Sequence, residues 1–307
     1  MLILGLVAVG IWRSVQKGLA DLQAQDFSWS QIHAGWLVLA GLAYAAGTLP
    51  SWLFWHKTLW AMGQRPTRFE ALRAFSIGHL GKYVPGKALV VVLRAGLVRG
   101  PRVDTTVAAT AVFVETLTTM AVGAFVAAAT MAVLYHDQPK LLLMALALMI
   151  CVGGPTLPPL YRRLVPLLGV RKINPNIDQA LAGLDYRLMA YGWLRIAPGW
   201  FLFGLSLWAA LRAIPETTIV AITIEEWPRI TAYYAMAILA GFIVMVPGGL
   251  GVREYVVMQV LAPRYGIGAA VVSAVLVRLV SLLAEVTCSA VLYLIKPPAD
   301  PDDSSVG

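Results

Sequence analysis

Residues 78–87 read Gly-His-Leu-Gly-Lys-Tyr-Val-Pro-Gly-Lys, and they interrupt an otherwise apolar stretch between Arg73 and Arg99. Proline removes a backbone donor and glycine permits unusual φ, so a helix entering this segment opens. Residues 246–254, Val-Pro-Gly-Gly-Leu-Gly-Val-Arg-Glu, interrupt a second apolar region in the same manner. Irregular backbone survives inside a bilayer only when it is buried in protein or lines a wet cavity. The two breaks therefore mark where such a cavity is expected.

The surroundings of both breaks are membrane-like. The 307 residues are 59% hydrophobic and 13% charged, against roughly 25% charged in soluble domains. Stretches without Asp, Glu, Lys or Arg run over 27–56, 116–136, 141–161 and 230–252. Each approaches or exceeds the ~20 residues that carry a helix across the hydrocarbon core. Shorter apolar runs at 196–211 and 267–277 reach that length with their flanks. The reading is an all-α integral membrane protein of about six transmembrane helices plus two re-entrant or broken elements. Met1–Ile11 is apolar with no preceding Lys or Arg, which argues against a signal peptide. It reads as a first helix continuing toward Arg13 and Lys17, or as a trimmed start.

Charge sets the expected topology. The segment Tyr161–Arg195 carries Arg162, Arg163, Arg171, Lys172, Arg187 and Arg195 against Asp178 and Asp185, and positive loops face the cytoplasm. The segment Arg212–Arg229, with Glu216, Glu225 and Glu226, then falls outside, and both termini fall inside. This holds only if the stretch around residues 78–87 enters and leaves on one face. The organisation is a single membrane domain over 1–307. Its first half, 1–160, holds a re-entrant element near 74–98. A basic cytoplasmic loop over 161–195 leads to a second half, 196–296, with a re-entrant element near 230–262, and a polar tail over 297–307. The net charge of +8 fits positive cytoplasmic loops; no basic run interleaved with aromatics points to nucleic acid.

The two breaks share Val-Pro-Gly, at Val84–Gly86 and Val246–Gly248. About thirty residues after each comes a second match, Ala111-Val112-Phe113-Val114-Glu115 against Ala274-Val275-Leu276-Val277-Arg278. The offsets are 162 (Val84 to Val246) and 163 (Ala111 to Ala274). Two ordered matches at nearly one offset indicate an internal repeat, inverted under this topology, as in many transporters.

Several residues follow as candidates for ligand contact. Lys82, Pro85, Gly86, Lys87 and Arg94 sit on or after the first break, where basic side chains and free N–H groups suit a lipid phosphate; snorkelling to the interface is the alternative. Pro247, Gly248, Arg253 and Glu254 occupy the second break, where the charged pair contacts ligand, a neighbouring charge, or the outer interface. Glu115 and Arg278 lie at equivalent repeat positions inside apolar helices, where ionisable groups are costly and face the bundle interior. They are expected to pair with each other across the repeat, or each with a charge on the opposite broken helix. Glu285, seven residues after Arg278, is the competing partner for it. Of the histidines only His79 adjoins a break; no ligand spacing for a metal is present, and no cofactor or catalytic residue is expected. Cys151 and Cys288 are isolated in apolar runs and offer no disulfide. The tryptophans between Trp29 and Trp60 are expected at interfaces.

The string Gly78–Lys87 followed by Arg94, the string Val246–Glu254, and Arg278 in the following helix resemble the signatures of the lysylphosphatidylglycerol synthase transmembrane-region (YbhN-like) family, which includes the flippase half of MprF-type proteins. The resemblance covers nearly the whole chain. It implies translocation of an anionic or aminoacylated phospholipid across a bacterial cytoplasmic membrane, with membrane lipids as partners and a homodimer or a lipid-synthesis enzyme as further ones. The alternative is an accessory protein or lipid-modifying enzyme in glycolipid or polyprenyl-lipid assembly. Two departures bear on the substrate: Glu115 is followed by Thr116-Leu117-Thr118, and Ala88 follows the first Pro-Gly-Lys. The soluble aminoacyl-transferase portion of bifunctional members has no counterpart here, so no synthase activity is expected.

Overall fold

A computed structural model describes residues 16, 28–84, 88–137, 139–167, 173–175, 177–215, 222–244 and 249–295. Among the described residues the regular elements are helices: α1 (Ala34–Ala61), α2 (Arg68–His79), α3 (Ala88–Val98), α4 (Thr105–Leu134), α5 (Pro139–Gly153), α6 (Pro158–Leu167), α7 (Ile177–Ala182), α8 (Tyr186–Arg212), α9 (Trp227–Ile243), α10 (Val252–Tyr265) and α11 (Ile267–Leu294). Four of them, α1, α4, α8 and α11, are long and apolar enough to cross a membrane. The helices α5 and α9 are apolar but shorter, at 15 and 17 residues.

Short polar side chains set where helices begin. Thr67 and Glu70 form a reciprocal capping box at the start of α2. Asp104 accepts from the Val107 N–H at 2.9 Å, and Asp185 from the Leu188 N–H at 2.7 Å, each satisfying an orphan donor. The Asp185 cap starts α8 at Tyr186, so Arg187 and Arg195 ride on a long helix. The rest of the basic segment includes α6 and α7.

The helices α2 and α3 form a hairpin joined through a 3-10 turn at Leu80–Tyr83, and α9 and α10 form a second hairpin. Each is followed by a long helix, and the returning arm packs on it, α3 on α4 and α10 on α11. The sheath around them is α1 against α8, the most extensive helix pair. One apolar core gathers Phe54, Trp55, Phe75, Val112 and Trp200; a second gathers Leu207, Ile230, Leu261 and Val272. Trp55 corrects the interfacial expectation for the tryptophans of α1. It is fully buried, with its ring 6.2 Å from that of Phe75, because α2 covers this face of α1. The apolar start Met1–Ile11 lies outside the described residues.

Candidate functional site

Six elements bring charged and hydroxyl side chains to one place beside the first break. Glu285 on α11 is the hub. Its Oε1 accepts from the Tyr44 hydroxyl of α1 and from Lys82 Nζ in the 3-10 turn. Its Oε2 accepts from the Tyr83 hydroxyl at 2.8 Å. Lys82 Nζ also lies 2.9 Å from His79 Nε2, whose Nδ1 lies 3.0 Å from Arg94 Nη2 on α3. Arg94 Nη1 in turn donates to Glu115 Oε2 on α4 at 2.7 Å, and Glu115 Oε1 accepts from Thr119 at 3.1 Å. An unbroken polar chain thus runs from Glu285 to Glu115 through protein that is otherwise apolar.

The second hairpin contributes from the other side. Arg278 Nε on α11 faces Glu254 Oε1 on α10 at 3.5 Å, and its guanidinium lies 5.2 Å from the centre of the Tyr83 ring. Glu254 Oε2 accepts from the Gly251 N–H at 2.7 Å, which closes the start of α10 after Gly249 and Gly251 turn the chain at φ of 68° and 81°. Arg253 is 7% exposed and stacks over Tyr234 at 4.6 Å. Its Nη2 is buried without a hydrogen-bond partner among the described residues.

The pairing expected for Glu115 and Arg278 is corrected by these contacts. Among the described residues they form no ion pair with each other or with a charge on the opposite hairpin, although Arg278 lies over the Tyr83 ring of that hairpin. Each pairs with the returning arm of its own hairpin, Glu115 with Arg94 and Arg278 with Glu254, because that arm packs directly on the long helix. The signs are exchanged between the halves: the cation is on the hairpin in the first and on the long helix in the second. Glu285, read as a rival partner for Arg278, instead takes Lys82 of the other half. Arg94, 2% exposed, does not snorkel; its guanidinium lies 4.0 Å from the Phe75 ring centre.

Of the expected site residues, Lys82, Arg94, Glu115, Arg253, Glu254 and Arg278 are thus gathered around the breaks. Pro85, Gly86, Lys87, Pro247 and Gly248 lie outside the described residues. Sequence reasoning missed Tyr44, Tyr83 and the central place of His79. Tyr83 and His79 stood inside the quoted string; Tyr44 is one tyrosine in an uncharged run and carried no signal. Among the described residues no His, Cys, Asp and Glu side chains gather as a metal site. A cavity of about 30 Å³ beside Glu285 is lined by Tyr44, Thr48, Ser76, His79 and Cys288 among others. That is room for a water, not for a lipid head group.

A family model described as "Lysylphosphatidylglycerol synthase TM region" matches residues 1–287. The chain belongs to this family. The match includes both breaks and every charged residue of the cluster, so the cluster lies within the family's membrane region. With the four long apolar helices, membership makes this a multi-pass membrane protein. No curated protein matches the chain.

The site depends on how closely α3 passes α2. A Cβ on Gly78 would lie 2.5 Å from Arg94 Cγ and 2.9 Å from its backbone nitrogen. Gly78→Ala is expected to destabilise by about 1–3 kcal/mol through overpacking. Gly96→Ala on α3, where an added Cβ would meet nothing within 4 Å beyond its own helix backbone, is expected to stabilise by up to about 1 kcal/mol. Thermal unfolding of both variants in one detergent reads the difference.

Proposed function

We propose that the protein translocates a lipid, an anionic or aminoacylated phospholipid, across the bacterial cytoplasmic membrane without changing it chemically. Both termini lie in the cytoplasm in this reading. With α5 and α9 counted, the chain has about six spanning segments, and its two hairpins dip from opposite faces as an inverted repeat. Buried Arg253 carries the proposal: its Nη2 has no partner among the described residues, and a buried guanidinium is expensive unless something accepts from it. With Lys82 and Arg278 nearby, the acceptor that fits is a phosphodiester, which guanidinium and ammonium groups bind by charge-assisted hydrogen bonds. The three carboxylates are engaged by Arg94, Arg278 and the Lys82–tyrosine set, which suits holding charge and not acid–base chemistry.

The small cavity requires that the contact between Glu285 and the Lys82–Tyr83 turn open to admit a head group. In vesicles carrying fluorescent phosphatidylglycerol, the protein is expected to expose inner-leaflet label to dithionite faster than empty vesicles do. Arg253→Ala is expected to slow this by roughly 10–100-fold, the loss of a charged hydrogen bond of about 1.5–3 kcal/mol. No acceleration with any anionic or aminoacylated lipid sinks the function; full activity of Arg253→Ala removes the site.

A further inference from the structure

His79 poses a donor problem. A neutral imidazole has one N–H and one acceptor nitrogen, yet both of its nitrogens face nitrogen donors, Arg94 Nη2 at 3.0 Å and Lys82 Nζ at 2.9 Å. A guanidinium stays protonated and only donates, so Nδ1 accepts and Nε2 carries the proton. That N–H points at Lys82 Nζ, and an ammonium has no lone pair to receive it. A protonated imidazole makes matters worse, since both contacts then oppose donor to donor. The contacts are satisfied together when Lys82 is an uncharged amine.

The local charge count agrees. Among the described residues Lys82, Arg94, Arg253 and Arg278 face Glu115, Glu254 and Glu285, four possible cations against three carboxylates. With Lys82 uncharged the cluster is balanced, as a poorly solvated interior demands. With Lys82 protonated it carries one positive charge in excess, which calls for one more anion.

We propose that Lys82 is the proton carrier of a coupled site, uncharged while the site is empty and protonated when a monoanionic phosphodiester enters, so that one proton accompanies each lipid. This rests on the lipid-translocation reading above. The proton is taken up from the buffered solution, hydronium or buffer acid giving it to the Nζ lone pair. The ammonium, now opposed by the His79 N–H, turns to the phosphate oxygen, and four cations face three carboxylates and one phosphate. The other groups facing Lys82 do not compete for that proton. Tyr44 on α1 and Tyr83 in the turn already donate to Glu285. His79 on α2 is fixed by Arg94 on α3, and Arg253 on α10 and Arg278 on α11 are permanent cations. Glu285 on α11 accepts from three donors as a carboxylate. Because phosphate and proton cancel, the step is electroneutral, and amines elsewhere on the head group are bystanders to it.

Nitrogen-15 NMR of lysine-labelled protein tests the empty state, with the Lys82 resonance assigned by its loss in Lys82→Arg. The expected signal is that of an amine at neutral pH, moving to that of an ammonium on addition of dihexanoyl-phosphatidylglycerol. Calorimetry of the same binding in buffers of different ionisation enthalpy is expected to give about one proton taken up per lipid, and none in Lys82→Arg. An ammonium signal in the empty protein, or lipid binding without proton uptake in the wild type, overturns the coupling and leaves the lipid reading standing. Absence of binding to short-chain phosphatidylglycerol and to its aminoacylated form alike sinks the lipid reading, and the coupling with it.

Discussion

Arg94→Met and Glu115→Leu are each expected to destabilise the protein by about 3–5 kcal/mol, and the double variant to recover most of that loss. Arg94 and Glu115 are 2% and 4% exposed and 2.7 Å apart. Removing either leaves the other as an uncompensated charge in an apolar interior, which is the costly situation; removing both leaves an apolar contact. Recovery should be incomplete, because the double variant also strands His79 Nδ1, which accepts from Arg94, at about 1 kcal/mol, whereas the Thr119 hydroxyl keeps Ser51 as a partner. Thermal unfolding of the four proteins in detergent closes the cycle. Additive single losses would show that the two side chains do not act as a pair. The exposed Arg102–Glu70 pair, at 3.1 Å, is the control: Arg102→Gln, which leaves the Glu70 capping box in place, is expected to change stability by less than about 1 kcal/mol, since water and salt screen the pair.

The contrast between those two pairs shows what could be read without coordinates. Hydrocarbon thickness forces long uncharged runs, so the helices α1 and α4 were visible as such, whereas α8 and α11 came only as shorter apolar runs that needed their flanks; the Pro-Gly strings fall between the paired helices α2 and α3 and between α9 and α10. A charge inside a spanning helix is expensive, so Glu115 and Arg278 stood out as inward-facing. Their partners did not, because partner choice is decided by which helix surfaces meet. The matching offsets equated Glu115 with Arg278 in position, and pairing between them looked natural. The hairpin arms, packing locally, brought Arg94 and Glu254 into reach first. Trp55 failed for a similar reason: composition places tryptophan at interfaces on average, whereas α2 lies over this one. Tyr44 and the double engagement of His79 arise from three helices converging, and no local pattern encodes that convergence.

Glu285→Gln is expected to bind a short-chain phosphatidylglycerol roughly 10–100-fold more tightly than the wild type. In the closed site Glu285 occupies the place a phosphate would take, accepting from Tyr44, Lys82 and Tyr83. An entering phosphodiester has to displace it or share its donors. Glutamine keeps the shape but offers one neutral acceptor oxygen and no charge. The competing interaction lost is that of a charged acceptor, about 1.5–3 kcal/mol, and each 1.4 kcal/mol is tenfold in affinity. Stability without lipid should fall by about 1–3 kcal/mol, since the Tyr44 and Tyr83 hydroxyls lose a strong acceptor in a buried setting. Translocation should slow although binding tightens: the returning carboxylate is what expels the head group, and a site that only binds well holds its cargo. Titration of dihexanoyl-phosphatidylglycerol, with dithionite assays on the same variant, separates the two effects. Equal or weaker lipid binding by Glu285→Gln would mean that the carboxylate is a structural tie between α11 and the first break, and not a stand-in for the phosphate.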